Sequence, residues 1–320
     1  MIKKYISLIK MVIFISVLFL ILLISSSLFN ISTAIGIKNE PQNTIDYIVI
    51  GDSLAYRSIS PMQIFNEKGY TGYNLGRPAQ FLQNGFYSLK EALMKQKPKK
   101  VFVETNFIFR DRNLKSGIEQ GVGIFIQEKL PIFENHNEWK TLFESHKNGL
   151  KTKKKESKDA LKGFHINKEV KEFKEFKGKE SINKTEKKQE LPTLTQYYLD
   201  QLVELSKEKG FELVFYSAPS PKNWTYVKHN SILEFTEINK IEYLDFNLAK
   251  DQVMIDWKKD TYDKGDHLNL NGAAKVTKII GDYLQKKGTF IDRRSDKSYN
   301  NWNKLLSVYN NRVGEKKSVY

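Results

Sequence analysis

An α/β fold with a parallel sheet covered on both faces by helices is what this sequence of 320 residues predicts. Short runs rich in β-branched and aromatic residues recur at 46–50, 69–75, 100–105, 211–219 and 241–246. Between them, residues 79–97, 193–210 and 271–288 space their apolar side chains by three and four. Strands that alternate with helices in this way pair in parallel, with the helices packed over the sheet. The length is also sufficient to bury a sizeable core.

Taken in order, the chain opens with the uncharged run 11–37, "MVIFISVLFLILLISSSLFNISTAIGI", preceded by Lys3, Lys4 and Lys10. That run exceeds the roughly 20 apolar residues that cross the hydrocarbon layer, which predicts a retained single-pass anchor. The preceding lysines keep the N-terminus in the cytoplasm and the remainder outside. The alternative is a cleaved secretory signal ending near Ser32-Thr33-Ala34, for which the apolar segment is long. Both export the body of the chain. With no cysteine, disulfides, thiolate metal sites and a cysteine nucleophile are excluded, and the exported body must be held by its core.

"DYIVI" (46–50) is the first strand, and the turn at Gly51 sets Asp52 and Ser53 at its end. Such a place suits a functional group and equally a helix cap. "GYTGYNL" (69–75), the helix 79–97 and the strand "KVFVET" (100–105) follow. Residues 107–192 form an insertion, and its stretch 146–190, with 15 lysines against 8 acidic residues, carries about half of the formal net charge of +15. This stretch is dominated by Lys and Glu and poor in aliphatics, so it is expected to be solvated, as a loose helix or a flexible segment. A contact with anionic head groups or acidic wall polymers is its functional alternative. Nucleic acid is not an expected partner, since the body is exported and carries no recognisable binding motif.

Beyond the insertion, Thr193 or Thr195 is expected to cap a helix ending at Gly210. The strands 211–219 and 241–246 and the helix 271–288 complete the body. Residues 292–320 are a C-terminal tail with an amphipathic helix presenting Tyr299, Trp302, Leu305 and Tyr309 on one face, a stripe that suits packing against the body. The expected organisation is therefore a cytoplasmic stub with anchor (1–37), an extracytoplasmic domain (38–291) and the tail.

Sites in parallel sheets gather outside the carboxyl ends of the strands, where Ser53, Asn106 and Ser217 fall. A serine becomes a nucleophile only with a base in reach and a group to hold that base. Of the five histidines, His146 and His165 lie in or beside the charged insertion, His136 in a polar turn and His229 in a loop after "APSPKNWTY". His267, in "DTYDKGDHLNLNGAAK", stands among acidic residues just ahead of a helix, the context that suits a catalytic imidazole. There is no Gly-rich phosphate loop, no HExxH and no His–carboxylate cluster at metal-ligand spacing, so no cofactor is expected.

"IVIGDSLAYR" and "DKGDHLNLNG" together resemble the SGNH (GDSL-type) hydrolase superfamily, over about residues 45–125 and 193–288. The resemblance implies a flavodoxin-like three-layer fold with Ser53 as nucleophile and His267 as general base. It also implies an oxyanion hole from the Ser53 N–H, Gly76 and the Asn106 side chain. The family's acid stands three residues before the histidine, where this chain has Lys264. Asp263, with one residue inserted in the turn, is the expected acid, and Asp266 is the alternative. Structural roles stay open beside these: Ser53 and Asn106 as caps, Gly76 as a turn residue, His267 as a loop histidine. Arg77 and Trp224 are candidate pocket residues.

The anchor, "SISPMQIFNEKGYTGYNLGRPAQ" and "SAPSPKNW" look closer to one branch of the superfamily. Its members are membrane-anchored and work beside membrane-bound O-acyltransferases in modifying cell-surface polymers. What this implies is an extracytoplasmic O-acyltransferase that adds acetyl groups to a cell-surface polysaccharide through an acyl-Ser53 intermediate. A carbohydrate esterase removing such groups is the alternative within the same chemistry. A non-catalytic assembly or carbohydrate-binding component is the alternative outside it.

Overall fold

The computed structural model describes residues 9–18, 20, 36–110, 158–174, 183–249 and 253–314. The chain divides into two compact units, one comprising 37–111 and 157–320 and the other 1–36 and 112–156. Of the second unit, residues 9–18, 20 and 36 are described, in helical conformation. Among the described residues no helix is long and apolar enough to cross a membrane. Most of the run 11–37 expected as an anchor lies outside them, as do His136 and His146.

The larger unit is a five-stranded, wholly parallel sheet in the order β2-β1-β3-β4-β5. Its strands are β1 (Tyr47–Ile50), β2 (Gly72–Asn74), β3 (Lys100–Glu104), β4 (Glu212–Ser217) and β5 (Glu242–Asp245). The helices are α1 (Ser53–Ser58), α2 (Pro61–Lys68), α3 (Leu82–Leu93), α4 (Thr193–Lys209), α5 (Tyr226–Asn239), α6 (Leu270–Lys287) and α7 (Asn300–Gly314). All five residues of β3 are buried, as a strand covered on both faces requires. The two sheet faces are lined by alternate residues. Tyr47, Val49, Phe102, Val214 and Tyr216 share a core with Leu54 and Ala55 of α1, Ile64 of α2, and Val276, Ile280 and Leu284 of α6. On the opposite side Phe215 packs its ring 5.7 Å from Phe235 of α5, and α3 lies against α4.

Three local outcomes depart from the sequence expectations. Short helices α1 and α2 occupy 53–68, a stretch to which the sequence alone assigns no element beyond a candidate cap at Ser53. They form because Asp52 caps the first through the Leu54 N–H, and Ser60 caps the second ahead of Pro61 at its first turn. His229 lies within α5, capped by Thr225, and not in a loop. Helix α4 begins after Pro192 with no side-chain cap, so neither Thr193 nor Thr195 has the capping role.

Most described residues of the Lys/Glu-rich stretch are exposed or half-buried, as expected, but Ala160, Lys162 and Phe164 are buried. Lys162 is fully buried and forms an ion pair with the buried Glu40, whose other oxygen accepts from Trp302 Nε1 of α7 at 3.1 Å. The Lys162 ammonium lies 4.5 Å from the Trp302 ring centre. One cluster thus joins the start of the unit, the return of the insertion and the C-terminal helix. On α7 and just before it, Tyr299, Trp302, Leu305 and Tyr309 are all buried.

Candidate active site

Gly51 ends β1 and lets the chain turn at the carboxyl edge of the sheet. A Cβ there would lie 2.6 Å from Glu104 Cβ and 2.7 Å from Ala55 Cβ, so only glycine allows β1, β3 and α1 to meet this closely. Asp52 is fully buried: Oδ1 accepts the Leu54 N–H at 2.9 Å, and Oδ2 accepts from Asn106 Nδ2 at 2.9 Å and from Arg110 Nη2 at 2.7 Å. A fixed Asp52 fixes the first turn of α1, and with it Ser53.

Ser53 Oγ is 2.7 Å from His267 Nε2, and His267 Nδ1 is 2.6 Å from Asp263 Oδ2. The other oxygen of Asp263 accepts the His267 backbone N–H at 2.7 Å. Lys264 and Gly265 explain how a carboxylate four residues back reaches the ring. Both take left-handed conformations, with φ of 63° and 85°, and the extra residue is absorbed in that tight turn. Asp266, the alternative acid, stands 3.7 Å from Nδ1 and accepts from Asn223 Nδ2 at 2.5 Å instead.

Burial pushes the Asp263 carboxyl up, but the two hydrogen bonds from His267 outweigh it and hold the group below the ordinary aspartate range. A depressed folded-state value contributes stability that is present above the unfolded value and lost as pH falls through the folded one. The urea midpoint of wild type should therefore exceed that of Asp263→Asn most from about pH 5 upward, the gap closing toward pH 3. A gap independent of pH would contradict this coupling.

The histidine loop is braced by residues 165–173, on the far side of the insertion. Lys171 N–H donates to Thr261 O at 3.0 Å, Lys264 N–H to Lys171 O at 3.1 Å and Leu270 N–H to Asn167 O at 2.7 Å. Tyr262 stacks on the His267 ring, centres 5.8 Å apart, and carries the Arg57 guanidinium 4.9 Å from its own centre. His165 packs on Tyr56 with centres 4.6 Å apart, and burial followed by the nearby Arg57 charge lowers its pKa. A Cβ at Gly265 would meet the Phe173 ring at 2.8 Å, in a backbone conformation that side chains disfavour. Gly265→Ala should accordingly shift the loop and lower turnover about 10²-fold while the thermal midpoint changes little; undiminished turnover would show the loop to be adaptable.

Asn106 and Gly76 fall differently. Asn106 lies at the end of β3, with one amide hydrogen on Asp52 and Oδ1 accepting from Lys228 Nζ at 3.3 Å. The Gly76 N–H donates to Asn74 Oδ1 at 3.0 Å, so it is not the free oxyanion donor expected from sequence. Its lack of a side chain has a steric reason, because a Cβ would stand 2.9 Å from Asp52 O. The Ser53 N–H, first in α1, has no acceptor among the described residues.

A small cleft is lined by Leu54, the residue after Ser53, and by Glu104, Thr105, Asn106, Phe109, Ser217, Ala218, Asn223, Trp224 and Lys228; Ser53 and His267 are not among its lining residues. Trp224 is one wall, held by its Nε1 on Asp245 Oδ2 at 2.8 Å; the same oxygen accepts from Tyr243 at 3.1 Å and meets His229 Nδ1 at 2.7 Å. Arg77 is not part of this lining. Glu104, Lys228 and the Asp245–His229 pair were not singled out from sequence. A lone carboxylate ending the apolar run of β3 was the available signal for Glu104.

Among the described residues, Asp263, Asp266 and His267 are the group whose ligand atoms come within 4.8 Å of one another. Both ring nitrogens of His267 are already engaged, by Ser53 and by Asp263, which suits proton transfer rather than metal ligation.

No family model matches the chain, and no curated protein matches it. It is similar to several solved structures. A lipase/acylhydrolase from Enterococcus faecalis is 11% identical, over 78% of this chain and 100% of that one, with a TM-score of 0.40. The psychrotrophic esterase EstA from Pseudoalteromonas is 13% identical over 76% and 98%, with a TM-score of 0.39. A GDSL-like lipase from Bacteroides thetaiotaomicron is 12% identical over 75% and 88%, with a TM-score of 0.35.

Proposed function

We propose that this chain is an extracytoplasmic serine O-acyltransferase of the SGNH type, acting on a cell-surface polysaccharide. The observation that carries the catalytic part is the unbroken hydrogen-bond chain from Ser53 Oγ through His267 to Asp263, with ends of 2.7 Å and 2.6 Å. His267 Nε2 takes the hydroxyl proton as Ser53 Oγ bonds to the acyl carbonyl carbon, while Asp263 holds Nδ1–H and stabilises the imidazolium. The Ser53 N–H and the second Asn106 amide hydrogen supply donors for the oxyanion. His267 then returns the proton to the departing oxygen, leaving an acyl-Ser53. A sugar hydroxyl, deprotonated by the same nitrogen, takes the acyl group and restores the serine.

The polysaccharide acceptor, the acetyl group, the membrane location and a membrane-bound O-acyltransferase as donor partner rest on the uncharged run 11–37 and on the sequence resemblance. The experiment is turnover of a chromogenic acetyl ester by the full chain in detergent, with and without oligosaccharides. Acetylated sugar among the products is the expected result. Acetate alone at every acceptor concentration would make the protein an esterase. No turnover by folded protein would leave an assembly or carbohydrate-binding role. Failure to co-purify with a membrane-bound O-acyltransferase, with normal surface acetylation in a deletion strain, would remove the partner.

A further inference from the structure

Lys228 stands in the first turn of α5, yet its side chain lines the cleft with Leu54 and Asn106 rather than running out to solvent. Its Nζ donates to Asn223 O at 2.7 Å and to Asn106 Oδ1 at 3.3 Å, and lies 5.4 Å from the centre of the Phe109 ring. Both acceptors are neutral, and an ammonium has three hydrogens to give. No ion pair of Lys228 with a carboxylate is found among the described residues.

The charged groups that face it are Glu104, Asp52 and Arg110. Asp52 is matched by Arg110, whose Nη2 is 2.7 Å from Oδ2. Glu104 is buried, and burial, then the nearby Asp52 charge, raises its carboxyl pKa, opposed by the Asn106 and Ala218 N–H groups and by the Lys228 charge. Its oxygens accept the Asn106 N–H at 2.9 Å and the Ala218 N–H at 3.4 Å. Neither carboxylate hydrogen-bonds the Lys228 ammonium, which lies in the cleft with the apolar side chains of Leu54, Phe109 and Trp224. Burial also lowers the Lys228 pKa, as it does for any cation removed from water. A bound anion would reverse that penalty.

We propose that the cleft receives a carboxylate carried by the ester substrate, with Lys228 Nζ as its partner. A single ammonium suits a monoanion better than a phosphate, which calls for several donors or a guanidinium fork. The carboxylate belongs either to the acyl chain, as in a hemisuccinyl ester, or to the sugar, as in an acetylated uronic acid. This inference rests on the acyl-serine reading above.

The test compares two pairs of esters on wild type, Lys228→Met, Lys228→Gln and Lys228→Arg. One pair is 4-nitrophenyl hemisuccinate and its methyl ester; the other is acetylated glucuronic acid and its methyl ester. Wild type should prefer the charged member of one pair by tenfold or more in kcat/KM, and the pair concerned identifies the source. Lys228→Met and Lys228→Gln should bring that ratio close to one, and Lys228→Arg should retain most of it. Equal use of charged and neutral esters, or a preference that survives Lys228→Met, would overturn the proposal.

A second readout needs no turnover: tryptophan fluorescence of Ser53→Ala titrated with succinate and with glucuronate. Binding lost on Lys228→Met, with no turnover in wild type, supports the carboxylate site and removes the acyl-serine reading. Ser53-dependent turnover without charge preference or binding removes this inference alone. Absence of both turnover and binding removes both.

Discussion

Ser53→Ala and His267→Ala should each abolish acetyl-ester turnover, and Asp263→Asn should reduce kcat about 10⁴-fold. The three changes act on one hydrogen-bond chain, so their effects should not add. Ser53→Ala removes the only atom in the chain that can carry the acyl group. Asp263→Asn is more informative, because an amide can present its nitrogen to Nδ1 and favour the wrong tautomer of His267. The Asp266→Asn variant separates the two acids: its carboxylate is 3.7 Å from Nδ1 and committed to Asn223, so kcat should fall by less than about tenfold. A larger loss in Asp266→Asn than in Asp263→Asn would reverse the assignment.

The largest expected effect on stability lies away from the site. Glu40→Ala removes the carboxylate that pairs with the fully buried Lys162 and accepts from Trp302 Nε1. Breaking a buried pair by removing one partner costs about 3–5 kcal/mol, whereas replacing both members with apolar residues of similar volume is often neutral. Glu40→Leu combined with Lys162→Met should therefore recover most of what Glu40→Ala loses in urea unfolding. Equal losses in the single and double variants would mean that packing around Trp302, rather than charge, sets the cost.

The parallel sheet and the serine–histidine pairing were legible because each is written locally. Buried strands such as "YIVI" and "VFVE" read as apolar runs, and the acidic residues around His267 stand next to it in sequence. The preference for Asp263 over Asp266 anticipated a carboxylate that two left-handed residues bring back to the ring. Helices α1 and α5 were missed because their tertiary settings override modest local signals. The first has only six residues, and the second buries few apolar side chains. Gly76 misled for a different reason: whether an N–H is free depends on Asn74 Oδ1, and no spacing shows that. The burial of Lys162 could not be read from a stretch of lysines, since its neighbours in sequence differ little from it and its partners lie 122 and 140 residues away.

The separation of 214 positions along the chain from Ser53 to His267 also sets an order in time. Closing a long loop is entropically costly before contacts repay it. Paired residues of β3 and β4, such as Lys100 and Glu212, are 112 positions apart, about half that separation. On refolding, the sheet can form while the histidine loop still waits for residues 165–173 to dock beneath it. Recovery of activity should trail recovery of strand signal, leaving an interval in which the protein is folded by most measures and chemically silent.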